Sequence, residues 1–463
     1  MAPTTTRDAV EAPKIEVTLT LILGKDYFRQ VEEFGAGTDS DLSRFLLETR
    51  LKAFDWIINQ DPMQLEYNAP NLVQRFLLVL FYYQTTRHKP WKECNPAGIS
   101  QASATTNFCY QPVHLTGEAT SLIWGDQWLS PSHECQWAGV DCQSEKRTVA
   151  ELRIHWNHLN GPLPWEVTRL PLLRTLWLNS NMLTGALPPR LFSKNAGYAL
   201  DYLDLRWNQF SGTIPAEWVA NLLEGNGVLA YLQLNQNALT GRIPSELGLL
   251  SLKSLILTSN TLTGSIPRDL FYQTSLEWLF LEGNDLTGTL PSEIGLLTNL
   301  SNVNLNFTQI SGAVPSEIGV LSKLVDLILS NTKMQGTIAE ELYKGLGSLE
   351  VLSVSNCNLS GTINTSLGLM THLKRLHFAN NHFHGTIPNE IEALTQLAEF
   401  LVNGNDLSGT VPISFCQTRY AGEVASKVVA DCLPNTETGI PAIQCSSDCC
   451  TSCCDETGVC LSN

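Results

Sequence analysis

Between Thr148 and Pro412 the apolar residues recur on a fixed beat. In LKSLILTSNTLTGSIP, Leu252–Pro267, leucines at 252, 255 and 257 are followed by Asn260, Leu262 and Ile266. Alternation through Leu255 and Leu257 is that of a short half-buried strand, and the Gly-x-Ile-Pro close ends the unit in a turn. The unit occurs eleven times, at steps of 24 residues apart from single steps of 27, 29, 23 and 25. Such a period predicts an α/β solenoid whose stacked coils each give one strand to a parallel concave sheet. The two longest steps add residues after Pro188 and Pro215, where longer convex-side helices are expected.

One polar slot runs through all the coils: Asn157, Asn181, Asn208, Asn237, Asn260, Asn284, Thr308, Thr332, Cys357, Asn381 and Asn405. An inward amide at each turn satisfies backbone groups that stacking would otherwise bury unpaired. Thr supplies a hydroxyl and Cys only a weak donor, so this ladder is expected to be loosest at Cys357.

Ahead of the repeats the pattern changes to helical spacing. Leu42, Phe45, Leu46, Phe54, Ile57 and Ile58 share a face, with Asp39 and Ser40 as caps and Asp61-Pro62 as the stop. A second helix is expected from Pro70, carrying Leu72, Val73, Phe76, Leu77, Leu80 and Phe81. The two stripes are expected to pack on each other and on the first repeat. The resulting division is a flexible lead over 1–37, a helical segment over 38–89, an N-terminal cap over 90–147, repeats over 148–415 and a Cys-rich cap over 416–463.

The LxxLxLxxNxLTGxIP wording resembles plant-type leucine-rich repeats. WLSPSHECQWAGVDC, Trp128–Cys142, is similar to the N-terminal cap of plant-type leucine-rich-repeat receptors and inhibitors. Trp128, Cys135, Trp137, Gly139, Val140 and Cys142 fall where that family has them. The resemblance implies a right-handed superhelix with a disulfide cap at each end. The helix pair and the tail containing CSSDCCTSCC resemble ectodomains of leucine-rich-repeat proteins of diatoms, which commonly follow a cytoplasmic segment and one membrane helix. A membrane-anchored form is therefore an expectation, although no signal peptide or membrane-length apolar run is legible in the sequence.

Composition changes this picture in two ways. Of thirteen cysteines, twelve cluster before and after the repeats: Cys94, Cys109, Cys135 and Cys142 at one end, and Cys416, Cys432, Cys445, Cys449, Cys450, Cys453, Cys454 and Cys460 at the other. These clusters predict disulfides and an extracellular or cell-surface location, with Cys94 expected to join Cys109 and Cys135 to join Cys142. Cys357, alone inside the array, is the odd one and is expected to be a buried free thiol. The formal net charge of −16, with no cluster of cations, argues against a nucleic-acid partner.

No GxSxG elbow, P-loop, HExxH, EF-hand loop or strand-borne GxGxxG is present, so neither an enzyme nor a cofactor is expected. His382 and His384 are read as solvated turn residues, and the cysteine pairs of the tail as disulfides rather than metal ligands.

Strand alternation places the residues between the inward leucines on the concave surface. These slots hold Arg153, His155, Trp156, Trp177, Tyr202, Asp204, Arg206, Trp207 and Tyr231, then Trp278, Phe280 and Phe307. Aromatics beside arginine are what binding hot spots are made of, so the first four repeats are expected to carry a contiguous ligand patch. Arg153 and Arg206 are available there for carboxylate or sulfate groups, and the N-terminal helices are the element that could cover the patch.

The expected function is non-catalytic, receptor-like recognition of a peptide, protein or glycan. One alternative is a soluble inhibitor of a secreted glycosidase, since the repeat wording resembles plant polygalacturonase inhibitors. Another is an ice- or mineral-surface binder, because Thr213, Thr289, Thr337, Thr362, Thr386 and Thr410 form a row interrupted by Arg242, Ala186 and Ala313. N-x-S/T sequons at Asn299, Asn306, Asn358 and Asn364 are expected glycan acceptors, and a glycan on Asn306 would block part of the concave face.

Overall fold

The computed structural model describes residues 14–19, 40–92, 94, 108–113, 121–143, 145, 147–192, 199–412, 414–415, 427–434, 441–445, 449–455 and 459–462. Packing divides the chain into two compact units, 1–238 and 239–463.

The first unit opens on the helix Ser40–Asp55, which continues as one wider turn, Trp56–Gln60, and stops at Asp61. The second helix runs over Leu72–Gln84, starting two residues later than Pro70 suggests, because Pro70 and Asn71 form a turn ahead of it. Its apolar residues are buried on nearly every side, and the reason is Arg75. This fully buried guanidinium contacts Asp61 at 2.9 Å and Glu134 at 3.5 Å, and donates to the carbonyls of Ser130 and Ser132. It also lies over the rings of Trp56 and Trp137. One paired charge thus ties the helices to the disulfide cap, where an unpaired one would be prohibitive. A second buried pair, Arg50 with Glu166 at 2.9 Å, fastens the first helix to the first repeat.

The cap covers the open end of the array. Cys135 and Cys142 are bonded, and Trp128 and Trp137 lie buried 5.3 Å apart. The strand Val140–Gln143 pairs antiparallel with Thr148–Arg153, so the outermost repeat strand is not left as a bare edge. From there the sheet is parallel: Leu152 lies beside Leu176, Leu176 beside Leu203, and Leu203 beside Leu232. The ladder amides work as their period requires. The side-chain oxygen of Asn181 accepts from the backbone N–H groups of Asn157 and Leu159, while its amide donates to the carbonyls of Ile154 and Leu178. Of the long steps, the one after Pro215 forms the helix Glu217–Glu224. The one after Pro188 begins as a short 3-10 turn, and its continuation over 193–198 lies outside the described residues.

The second unit repeats the same plan. Leu255 pairs with Leu279, Leu279 with Val303, Val303 with Leu327, and the register persists to Phe400; Leu255, Leu257, Leu279 and Leu281 are fully buried. Short 3-10 turns such as Ser245–Leu249 and Ser292–Leu296 form the opposite side of each coil. Where the ladder departs from asparagine it loosens: Thr308 and Thr332 donate to the carbonyls of Leu305 and Leu329 in their own coils. Cys357, a buried free thiol, meets the Thr332 hydroxyl at 3.2 Å and the carbonyls of Leu329 and Ser355 at 3.4 and 3.6 Å, and supplies no amide to the ladder.

The Cys-rich tail extends the sheet. Lys427–Ala430 pairs parallel with the last repeat strand, Ser452–Cys454 pairs with it in turn, and Cys460–Ser462 closes the edge antiparallel. Asp431 accepts from the backbone N–H groups of Gly404 and Asn405. Disulfides join Cys432 to Cys453, Cys445 to Cys450 and Cys454 to Cys460, and Cys449 is also disulfide-bonded. Cys416 and the side chain of Cys109 lie outside the described residues, and with them the expected Cys94–Cys109 bond; Cys94 itself is buried.

Candidate functional site

In the first unit the short strands Thr175–Trp177, Tyr202–Asp204 and Tyr231–Gln233 turn alternate side chains away from the leucine core. Thr175 pairs with Tyr202, and Tyr202 with Tyr231, which brings four rings into one diagonal row. His155 stacks on Trp177 at 5.3 Å between centres, Trp177 lies 6.3 Å from Tyr202, and Tyr202 lies 5.5 Å from Tyr231.

Beneath the row the electrostatics are unusual. Burial, with Arg153 and Arg206 adding to it, lowers the His155 pKa to about 4, so the imidazole is neutral at physiological pH. Burial raises the Asp204 carboxyl to about 6, against the opposing pull of Arg206. Arg206 meets Asp204 at 3.1 Å, and Arg153 is paired with Glu151 and, at 3.9 Å, with Asp141. Both arginines are therefore engaged within the chain and do not stand ready for an anionic ligand, contrary to the expectation from sequence. They hold the face close to charge balance.

Several polar atoms beside the rings are buried and have no hydrogen-bond partner among the described residues, among them the Trp177 indole N–H and the side-chain oxygens of Asn179 and Asn235. Sequence reading passed over both asparagines. They occupy the slot that holds His155 and Arg206 in neighbouring coils, so the register itself was the available signal.

Trp156 and Trp207 do not join the row. They sit beyond the strand ends, in left-handed backbone at φ 54° and 55°, and the residues are 54% and 56% exposed. The N-terminal helices therefore leave both open. The contiguous patch expected from strand alternation is in fact a row of three half-buried rings that ends on the buried His155, with two separate, exposed tryptophans.

In the second unit Trp278 is 38% exposed, Phe280 is half-buried, and Phe307 is exposed in left-handed backbone at φ 51°. Further along that unit the concave slots are tied to one another: Ser330 to Ser353 at 2.7 Å, Ser353 to His377 at 3.4 Å, and His377 to Glu399 at 2.8 Å. Ser353 and Ser355 are buried rather than open. His382 and His384 are exposed, and no cluster able to hold a metal ion exists among the described residues. Of the sequons, Asn358 is exposed on a strand, whereas Asn299, Asn306 and Asn364 already bond Thr274, Asn331 and Ser366 respectively.

The Leucine Rich Repeat family model matches residues 199–220, 275–297, 348–370 and 372–394. The chain is 28% identical over 172 residues to phytosulfokine receptor 1 of Arabidopsis thaliana, covering 32% of this chain and 17% of that receptor. Among solved structures it resembles the Arabidopsis receptor kinase HAESA in complex with the peptide hormone IDA and the co-receptor SERK1. That likeness has 32% identity and a TM-score of 0.56, covering 67% of this chain and 51% of HAESA. It also resembles a plant ice-binding protein, at 26% identity and TM-score 0.53, covering 61% of this chain and 88% of that one. The matches thus span under a fifth of the first receptor and about half of the second. Among the described residues no helix is long and apolar enough to cross a membrane. With the coil register, the amide ladder and the cap all in place, the chain is built of leucine-rich repeats and is similar to plant leucine-rich-repeat receptors.

Proposed function

We propose that the chain is a receptor-like, non-catalytic recognition module of the extracellular space or cell surface, and that it binds a peptide segment on the concave face of its first unit. One observation carries the reading. The row His155–Trp177–Tyr202–Tyr231 lies beside buried polar atoms of Trp177, Asn179 and Asn235 that no described residue pairs. Buried polar groups are nearly always hydrogen-bonded, so unpaired ones beside an aromatic surface suit a ligand that brings its own donors and acceptors, as a peptide backbone does. The peptide hormone bound by HAESA supports that ligand class, and the disulfides support an oxidising compartment. The test is selection of a random dodecapeptide phage library on the intact protein. Enriched peptides should lose roughly tenfold or more in affinity on Trp177→Ala and nothing on Tyr272→Ala, an exposed residue of the second unit. Absence of enrichment, or binding indifferent to Trp177, would refute the reading.

A second reading rests on the other sheet of the second unit. There Thr289, Thr337, Thr362, Thr386 and Thr410, each following its coil's glycine, are exposed in a row broken by Ser265 and Ala313, and the likeness to the ice-binding protein supports this reading. Lys333, His382, His384 and Asp406 interrupt that sheet's surface with bulky or charged groups, which is why the peptide reading is preferred. Absence of thermal hysteresis in cooled solutions of the protein would dispose of this alternative.

A further inference from the structure

The residue just before the ladder position takes left-handed backbone in coil after coil. In the first unit the occupants are Trp156, Ser180, Trp207 and Gln236, and in the second they include Ser259, Gly283, Phe307, Asn331, Asn356, Asn380 and Gly404. Small, amide or glycine residues suit this conformation, while a bulky side chain there costs on the order of 1–2 kcal/mol. Trp156 and Trp207 bear that cost as residues more than half exposed, so packing within the chain does little to offset it. The left-handed turn itself belongs to the repeat; what sets Trp156, Trp207 and Phe307 apart is the large, exposed aromatic residue each coil carries there.

The geometry of the pair is fixed by the backbone. Trp156 N–H donates to the Asn179 carbonyl, Ser180 N–H to that of Arg206, and Trp207 N–H to that of Asn235, so the coils stay in register at this slot. Trp156 and Trp207 are two coils apart, which at the usual strand spacing is about 9.6 Å. A polyproline II helix advances about 3.1 Å per residue with three residues per turn, so its residues i and i+3 lie about 9.3 Å apart on one face. An extended strand repeats on one face at about 6.8 Å and falls out of step. An α-helix repeats at about 5.4 Å per turn, or about 10.5 Å between i and i+7, and fits less well.

The chemistry of the face agrees with an uncharged segment of this kind. Arg153 and Arg206 are each paired with carboxylates, Glu151 and Asp141 for the one and Asp204 for the other, so neither cation is left to match an anionic ligand. A polyproline II backbone has no internal hydrogen bonds and presents its carbonyls as acceptors. The unpaired Trp177 N–H belongs to the coil between the two tryptophans and is a donor of the matching kind. Proline also has little conformational freedom to lose on binding.

We propose that Trp156 and Trp207 are paired ring platforms that read residues i and i+3 of a proline-rich polyproline II segment. This deepens the peptide reading above and rests on it. The test is fluorescence anisotropy of the full chain with labelled ten-residue probes. One has proline at every third position with alanine between, one has the same number of prolines at irregular spacing, and one is a Gly-Ser control. The regular probe should bind at least tenfold more tightly than the irregular one. Trp156→Asn and Trp207→Asn should each weaken it by tenfold or more while leaving the melting midpoint unchanged or higher, because Asn suits left-handed backbone. Equal binding of the two proline probes, no binding of either, or binding unaffected by both substitutions would overturn the proposal. Peptides from the library selection that need Trp177 but neither proline nor Trp156 and Trp207 would overturn it while leaving the peptide-recognition reading intact.

Discussion

The imidazole of His155 lies against the indole of Trp177 on the next coil, ring centres 5.3 Å apart and planes 28° from parallel. Stacking buries the imidazole, and burial is the main reason its pKa falls to about 4. Trp177→Ala should open that side of the ring and return the pKa toward its ordinary value near 6.5. Titrating the His155 resonance by NMR in both proteins measures this. An unchanged pKa would mean that other neighbours desolvate the ring.

His155 and Asp204 respond to pH in opposite directions. A neutral buried histidine contributes stability that is present above about pH 6.5 and is lost as pH falls toward 4, because the unfolded chain binds the proton more readily. A carboxyl raised to about 6 does the reverse: its penalty is full above pH 6 and disappears as pH falls toward 4. The two partly cancel between pH 4 and 6. Asp204→Asn should therefore make stability fall more steeply with acid over that window, and His155→Gln should make it rise. One proton gives at most about 1.4 kcal/mol per pH unit, which urea melts at several pH values resolve. Parallel profiles for both variants would contradict this account.

Arg75 is the pin of the N-terminal cap. Arg75→Met preserves much of the volume but leaves Asp61 and Glu134 buried without their cation. Breaking such a pair costs about 3–5 kcal/mol, so the variant should unfold the cap at a markedly lower urea concentration. A loss below about 1 kcal/mol would show that the aromatic rings, rather than the charge, hold the helices.

Cys357 occupies an amide slot with a thiol. Asn381, one coil on, accepts from Leu359 N–H and donates to the carbonyls of Val354 and Phe378. Cys357→Asn should restore bonds of that kind and stabilise by about 1 kcal/mol, read as a higher urea midpoint at unchanged slope. Peptide mapping of unreduced protein should recover Cys135–Cys142, Cys432–Cys453, Cys445–Cys450 and Cys454–Cys460, with Cys357 alkylated only after unfolding.

Leu257 tests the inward register itself. It is fully buried between coils, and Leu257→Ala should cost about 2–5 kcal/mol through lost burial and the cavity left behind. A loss below about 1 kcal/mol would be incompatible with the packing described.

The sequence alone determined what repeats. Inward Leu255, Leu257, Leu279 and Leu281, the amide ladder, its weak rung at Cys357 and the Cys135–Cys142 cap were all legible, because each coil contacts only its neighbours and a 24-residue period encodes that contact directly. Only the tertiary structure decided how unlike side chains in neighbouring coils meet. Strand alternation put Trp156 and Trp207 among the concave rings, yet the turn after each strand reverses the backbone into left-handed φ and takes them out of the row. Arg153 and Arg206 looked available until folding set Glu151, Asp141 and Asp204 beside them. The Cys-rich tail carries no leucine period, so nothing in its wording showed that Lys427–Ala430 and Ser452–Cys454 would extend the sheet. Periodicity specifies backbone register, but pairing, burial and charge at a site depend on which residues packing brings together across coils.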